Sequence, residues 1–212
     1  MRRTLAILPA LALAATLSAQ APKSAAKMSS VPKAAPPAKA AVDVPRPSGE
    51  FVIHMLNGPD KLLTSYRGKF IVLAFMYTTC THCQHTAGLL SKIQNEYASK
   101  GVQMLGVTID KGAKEGIPVF LKITGANFPV GYSDPAPAMK FMHVDTNKDW
   151  FIPMLAFIDQ KGIIRSQYVS YGEGGPVEKF LDEQDGDPAR GDKGSIRREI
   201  DKYLTPGAPA KK

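Results

Sequence analysis

Residues 70–83 constrain the fold of this 212-residue chain more than any other stretch. Phe70 to Tyr77 is an unbroken apolar run of strand length. Such a run suits a central strand buried on both faces, which demands a sheet with helices above and below it. Two threonines later comes Cys80-Thr81-His82-Cys83. Cys83 to Lys100 reads as a helix, with Ala87, Leu90, Ile93 and Tyr97 on one face. Gly101 closes that helix, and Val102 to Ile109 is a second buried strand. Strand, helix and strand over 70–109 make a parallel crossover. The cysteines stand where its first strand hands over to its helix.

The flanking pattern alternates in the same way. Phe51 to Leu56 reads as a short strand, followed by the turn signal Asn57-Gly58-Pro59, with Lys61 to Leu63 pairing back on it. After the crossover, Ala113 to Gly125 reads as a helix, Phe128 to Tyr132 as a strand and Ala136 to His143 as a short helix. Phe151 to Ile158 and Ile163 to Ser170 form a hairpin turned at Asp159-Gln160-Lys161-Gly162. Pro176 to Glu183 and Ser195 to Leu204 read as two further helices. The expected class is α/β, a central mixed sheet flanked by helices, with an added N-terminal hairpin.

The ends of the chain have a different character. Met1-Arg2-Arg3 is a short positive start, Leu5 to Leu17 is apolar, and Ser18-Ala19 offers small residues for cleavage. Residues 1–19 therefore read as a signal peptide; left uncut, they would serve as an N-terminal membrane anchor. Residues 20–46 are rich in Ala, Pro and Lys and too poor in large apolar side chains to offset the entropy of ordering, so they read as a disordered spacer. The folded domain is expected over 47–205, with a flexible tail at 206–212. This division also explains the formal charge of +8. Between Arg46 and Thr205 there are 19 Lys and Arg against 18 Asp and Glu, so the surplus belongs to the ends. A nucleic-acid-binding domain would carry its basic patch on the domain itself, and none is expected here.

Export changes how two cysteines are read. In an oxidising compartment they could form a structural disulfide, but such a staple gains most from closing a long loop, and this pair closes almost none. The spacing favours redox chemistry or a metal site. In disulfide exchange the thiolate is the nucleophile. A helix N-terminus carries unpaired N–H groups and about half a positive charge, which stabilises a thiolate at Cys80. Cys80 is then the attacking sulfur. Cys83, about one turn into the helix, resolves the mixed disulfide. Thr81 and His82 are the tuning residues, since a charged imidazole beside Cys80 would make the couple more oxidising. His85 lies further along the helix and reads as surface. No resident cofactor or metal is expected.

Residues from about Pro47 to Leu204 resemble the TlpA/ResA branch of the thioredoxin superfamily. Gly49-Glu50-Phe51, Tyr66-Arg67-Gly68-Lys69, the run Phe75 to Cys83, and Ile152-Pro153-Met154 with the following Leu155 to Asp159 carry the resemblance. It implies a thioredoxin-like fold and exported thiol–disulfide oxidoreductase activity. Its substrates would be thiols and disulfides of exported proteins, with an upstream redox partner and a periplasm-type location. It also implies that Pro153 is cis and faces the dithiol, and that the backbone beside it, at Ile152, pairs with the substrate chain. The sequence departs from the pattern at three places. Thr79 stands where the family usually has Trp, and the only tryptophan is Trp150. The buried acid of thioredoxins would fall at Ala74. The Glu that ResA-like reductants place three residues after the second Cys falls at Thr86, which argues against efficient reductant chemistry.

Other readings rest on fewer residues. A c-type haem site needs His after the second Cys, and residue 84 is Gln. Asp145 to Asp149 begins like a calcium loop, but Trp150 and Ala156 stand where Gly and Glu are needed. The alternative of a different class is an SCO-like copper-delivery protein, because soft thiolates with an imidazole suit Cu(I). That family separates its cysteines by three residues and adds a remote histidine, for which His143 is the candidate. A peroxiredoxin needs Thr three residues before its attacking Cys, where Tyr77 stands. A binding module with an incidental dithiol is the remaining class.

Overall fold

The computed structural model describes residues 44–172 and 176–204. The segments expected to be a signal peptide, a spacer (up to residue 43) and a C-terminal tail lie outside the described residues. The elements run in the order β1 (Arg46–Pro47), β2 (Val52–Ile53), β3 (Lys61–Leu62), β4 (Phe70–Met76), α1 (Thr81–Tyr97), β5 (Val102–Thr108), α2 (Ala113–Thr124), β6 (Val130–Tyr132), α3 (Pro135–Phe141), β7 (Phe151–Ile158), β8 (Ile163–Ser170), α4 (Pro176–Asp182) and α5 (Ser195–Leu204).

Six strands form one sheet in the order β1-β8-β7-β4-β5-β6, and β2 and β3 make the separate N-terminal hairpin. β4 pairs parallel with β5 and antiparallel with β7, so the sheet is mixed. The apolar run is buried along its whole length, and its side chains alternate between two cores. Phe70, Val72, Ala74 and Met76 pack with α1, α4 and α5, through Leu90, Ile93, Phe180, Ile196 and Ile200. Ile71, Leu73 and Phe75 pack on the opposite face with α3 and with Phe51, Ile53 and Leu63 of the N-terminal segment. A two-sided core explains why the sequence has no alternation over this strand.

Several boundaries differ from the sequence reading, each for a local reason. The strand expected over 51–56 shortens to Val52–Ile53 because His54 turns to pair with Tyr132 instead, by reciprocal backbone hydrogen bonds of 3.0 and 2.8 Å. The strand expected from Phe128 begins at Val130; Pro129, which has no N–H, accepts from Gly106 across the gap. Leu63–Tyr66 is a turn of 3-10 helix. Ordered chain also starts before residue 47. Arg46, assigned to the spacer on composition, pairs with Ile164 of β8. Its guanidinium donates to the Phe141 carbonyl (2.6 Å) and Gln167 Oε1 (2.8 Å). Among the described residues no helix is long and apolar enough to cross a membrane.

Candidate active site

The dithiol lies at the junction of β4 and α1. Here α1 starts two residues earlier than periodicity indicates, because Cys80 itself is the N-cap. Its Sγ accepts a hydrogen bond from the Cys83 N–H at 3.2 Å. A sulfur in this place satisfies one of the donors that every helix start leaves unpaired, and it sits at the positive end of a 17-residue helix dipole. Cys80 is half-buried and Cys83 is fully buried. Burial is the main influence that pushes the Cys83 thiol well up from its ordinary range, followed by the hydrogen bond with Cys80. The charges of Cys80 and Asp110 add to the rise, while the Tyr77 backbone N–H opposes it. The two sulfurs are thus unequal by position: one is reachable and caps the helix start, the other is enclosed and held as a thiol.

Thr81 and His82 occupy the first turn of α1 with both side chains exposed. Any charge on His82 therefore acts through water-rich surroundings, which weaken it. His85 is also at the surface, 2.6 Å from the Asp185 carboxylate. The positions where related proteins place an acid are closed to one. Ala74 is fully buried among apolar side chains, and Thr86 donates from Oγ1 to Gln184 Oε1 at 2.9 Å.

β7 flanks the site from the other side. The Ile152–Pro153 bond is cis, as the resemblance implies. Met154 pairs with Phe75 near the end of β4, so Ile152 and Pro153 lie beside the segment leading to Cys80. Ile152 and Cys80 pack on the same apolar cluster that contains Cys83. Towards β8 the register jumps from Phe151↔Ser170 to Leu155↔Tyr168, so Ile152 and Pro153 fall between registered pairs. Trp150 meets the Tyr77 ring edge to face at 6.5 Å, and Phe151 is 49% exposed. An aromatic rim thus borders the strand end, although the residue immediately before Cys80 is Thr79. His143 lines a groove with Trp150, and among the described residues no three His, Cys, Asp or Glu side chains are grouped to hold a metal ion.

Three further residues at this junction are not evident from motif spacing: Asp110, Gln84 and Gly116. All converge on Thr78. Asp110 receives the Thr78 N–H (2.9 Å) and hydroxyl (2.6 Å). Gln84 Nε2 donates to the Thr78 carbonyl at 2.9 Å. Gly116 lets α2 approach: a Cβ there would lie 2.5 Å from Thr78 Oγ1. Gly116→Ala is therefore expected to destabilise by about 1–3 kcal/mol through overpacking, although Ala is the better helix former by about 1 kcal/mol. Thermal unfolding measures this directly, and an unchanged or raised Tm would refute the close contact.

A family profile described as AhpC/TSA family matches residues 44–167, more than half of the chain. The thiol-disulfide oxidoreductase ResA of Geobacillus thermodenitrificans (strain NG80-2) is 32% identical over 92 residues, 43% of this chain and 52% of that protein. The thioredoxin-like protein YneN of Bacillus subtilis (strain 168) is 25% identical over 134 residues, 63% of this chain and 75% of that protein. The chain spans about half the length of the ResA proteins it matches. Among solved structures, a candidate thiol:disulfide interchange protein DsbE from Chlorobium tepidum superposes with a TM-score of 0.58 at 20% identity, covering 76% of this chain and 97% of that one. At that identity the match speaks for the fold alone. Together with the mixed sheet and the strand-to-helix dithiol, these similarities establish that the chain belongs to the AhpC/TSA family and is a TlpA/ResA-like protein of the thioredoxin superfamily.

Proposed function

We propose that this chain is an exported thiol–disulfide oxidoreductase that exchanges disulfides with protein substrates through Cys80 and Cys83. The observation that carries the reading is the inequality of the two sulfurs, with Cys80 Sγ at the helix start and Cys83 enclosed behind it. In the reducing direction the Cys80 thiolate attacks a substrate disulfide and one substrate sulfur leaves as a thiol. Cys83 then attacks Cys80, forming the Cys80–Cys83 disulfide and releasing the second substrate sulfur. An upstream redox partner restores the dithiol. The oxidising direction is the same sequence reversed. Ile152 offers backbone beside Pro153 for the substrate chain, with Thr81 and His82 at the rim of the attacking sulfur.

Cys83→Ala tests this, because removing the resolving thiol leaves the mixed disulfide on Cys80. The variant, exposed to an extract of exported proteins, is expected to hold partners in reductant-sensitive adducts. Absence of adducts on a folded variant would sink the proposal. The reduction potential then gives the direction of electron flow: values near about −270 mV are those of thioredoxin-type reductants, and values near about −120 mV those of DsbA-type oxidants.

A further inference from the structure

The buried thiol has no acid at either place where related proteins carry one, yet one carboxylate does reach this junction from elsewhere. β4 and β5 run side by side in parallel, with Met76 opposite Thr108. The Ile109 N–H donates to the Met76 carbonyl at 2.9 Å, extending the pairing one step past the ladder. Thr78 and Asp110 follow at matching heights at the strand ends. The Asp110 carboxylate takes both Thr78 donors, one on each oxygen. The Thr78 carbonyl accepts a hydrogen bond from Gln84 Nε2 in the first turns of α1. Thr78 is thereby tied to the sheet through Asp110 and to the helix through Gln84. Thr79 is the single residue between this fastening and Cys80.

We propose that Asp110 is a positioning residue for the dithiol: its carboxylate fixes the Thr78 turn that presents Cys80, and its negative charge delays attack by Cys83 on the mixed disulfide. This rests on the exchange chemistry proposed above. The second half follows from the site's electrostatics. Asp110 is one of the charges that disfavour a Cys83 thiolate, and it acts in the same sense on the Tyr77 hydroxyl. The titratable groups bearing on Cys83 are Cys80 from its own helix, Tyr77 from the end of β4 and Asp110 from the end of β5. The adjoining start of β7, Ile152 and Pro153, contributes no charge. Once Cys80 is locked in a mixed disulfide its charge is gone, and of the two charges that oppose ionisation of Cys83, that of Asp110 is the one left. In the resolving step the Cys83 thiol loses its proton and its sulfur bonds to Cys80 Sγ. The Cys80–substrate S–S bond breaks, and the departing substrate thiolate takes up a proton. The electron pair of the broken bond leaves with the substrate sulfur. A charge that raises the cost of the Cys83 thiolate slows this step.

Asp110→Asn separates the two roles, since an amide can keep both contacts with Thr78 while removing the charge. The full-length protein carrying a preformed mixed disulfide with a small aromatic thiol, whose release is coloured, reports resolution in a single turnover. Release is expected to be about tenfold faster in Asp110→Asn at neutral pH. In a Cys80→Ser background, Cys83 is expected to titrate at lower pH when Asn replaces Asp110. Thr78→Val keeps the charge and loses one fastening, so it should slow the first attack by Cys80 while leaving the titration of Cys83 in place. Slower release in Asp110→Asn would make the carboxylate a proton acceptor and overturn the proposal, as would release and titration equal to wild type. If Asp110→Asn does not fold, Asp110→Ser removes the same charge and is read in the same way. Should the protein exchange no disulfides with protein substrates, the function proposed above falls, while the coloured release and the Cys83 titration still decide the role of Asp110.

Discussion

Replacing Cys80 with Ser is expected to reduce disulfide exchange by about 10³-fold or more, down to the rate of the protein-free control. An enzyme stripped of its nucleophile commonly loses several orders of magnitude, and a serine hydroxyl does not replace a thiolate in attack on a disulfide. Fold should be untouched. Oxygen at the same place still accepts the Cys83 N–H, and serine is among the preferred N-cap residues. Circular dichroism and Tm should therefore match wild type while insulin-type disulfide reduction and peptide-thiol oxidation both vanish. The variant leaves the aromatic rim and the Ile152 backbone in place, so substrate binding there, if it occurs as proposed, should persist while exchange is lost. Retention of more than about a tenth of the wild-type rate would mean that Cys80 is not the attacking sulfur.

The largest stability effect is expected at Phe157. It is fully buried in β7, next to the central β4, and meets the rings of Tyr168 and Phe180 edge to face at 5.7 and 6.1 Å. Tyr168 and Phe180 stack on each other at 3.7 Å, so the three rings join β7, β8 and α4. Truncation to Ala removes the ring that both others contact and leaves a cavity between sheet and helix. The cost is about 3–5 kcal/mol, against about 5–15 kcal/mol for the whole stability of a typical domain. Urea unfolding should show a lower midpoint with an unchanged slope. A cost below about 1 kcal/mol would mean that the cluster adds little to holding α4 on the sheet.

The fold was legible in the sequence wherever one local pattern decided it. Phe70 to Met76 lacks polar residues because both of its faces are covered, and the covering is visible in the sequence as that lack. Gly162 and the Asp159 turn marked the β7–β8 hairpin because a left-handed glycine and an Asx turn are local devices. The dithiol was legible for the same reason, its spacing being a property of one helix start. What escaped were features made by distant partners. The edge strand at Arg46 depends on β8, more than a hundred residues away. The shortening at Ile53 depends on Tyr132. Asp110 is one acidic residue after a strand, and nothing in its neighbourhood distinguishes it from Asp134 or Asp159. Only the parallel register of β4 with β5 brings it to Thr78. The absence of an acid at Ala74 and Thr86 was legible, because each of those positions is fixed by its spacing from the dithiol.

The outer rows of the sheet carry one further consequence. β1 has two residues and β6 three, and the hairpin segment at His54 caps β6 through its pairing with Tyr132. Long, flat outer strands invite other chains to join them indiscriminately, and short or capped ones do not. At these two outer strands a visiting polypeptide in extended form thus finds little backbone to latch onto. The interruption in the ladder at Ile152 lies inside the sheet, beside the segment leading to Cys80. If the chain exchanges disulfides with extended protein substrates as proposed, this arrangement would keep such chains off its two outer strands and leave the interrupted ladder beside the dithiol as the place to meet them.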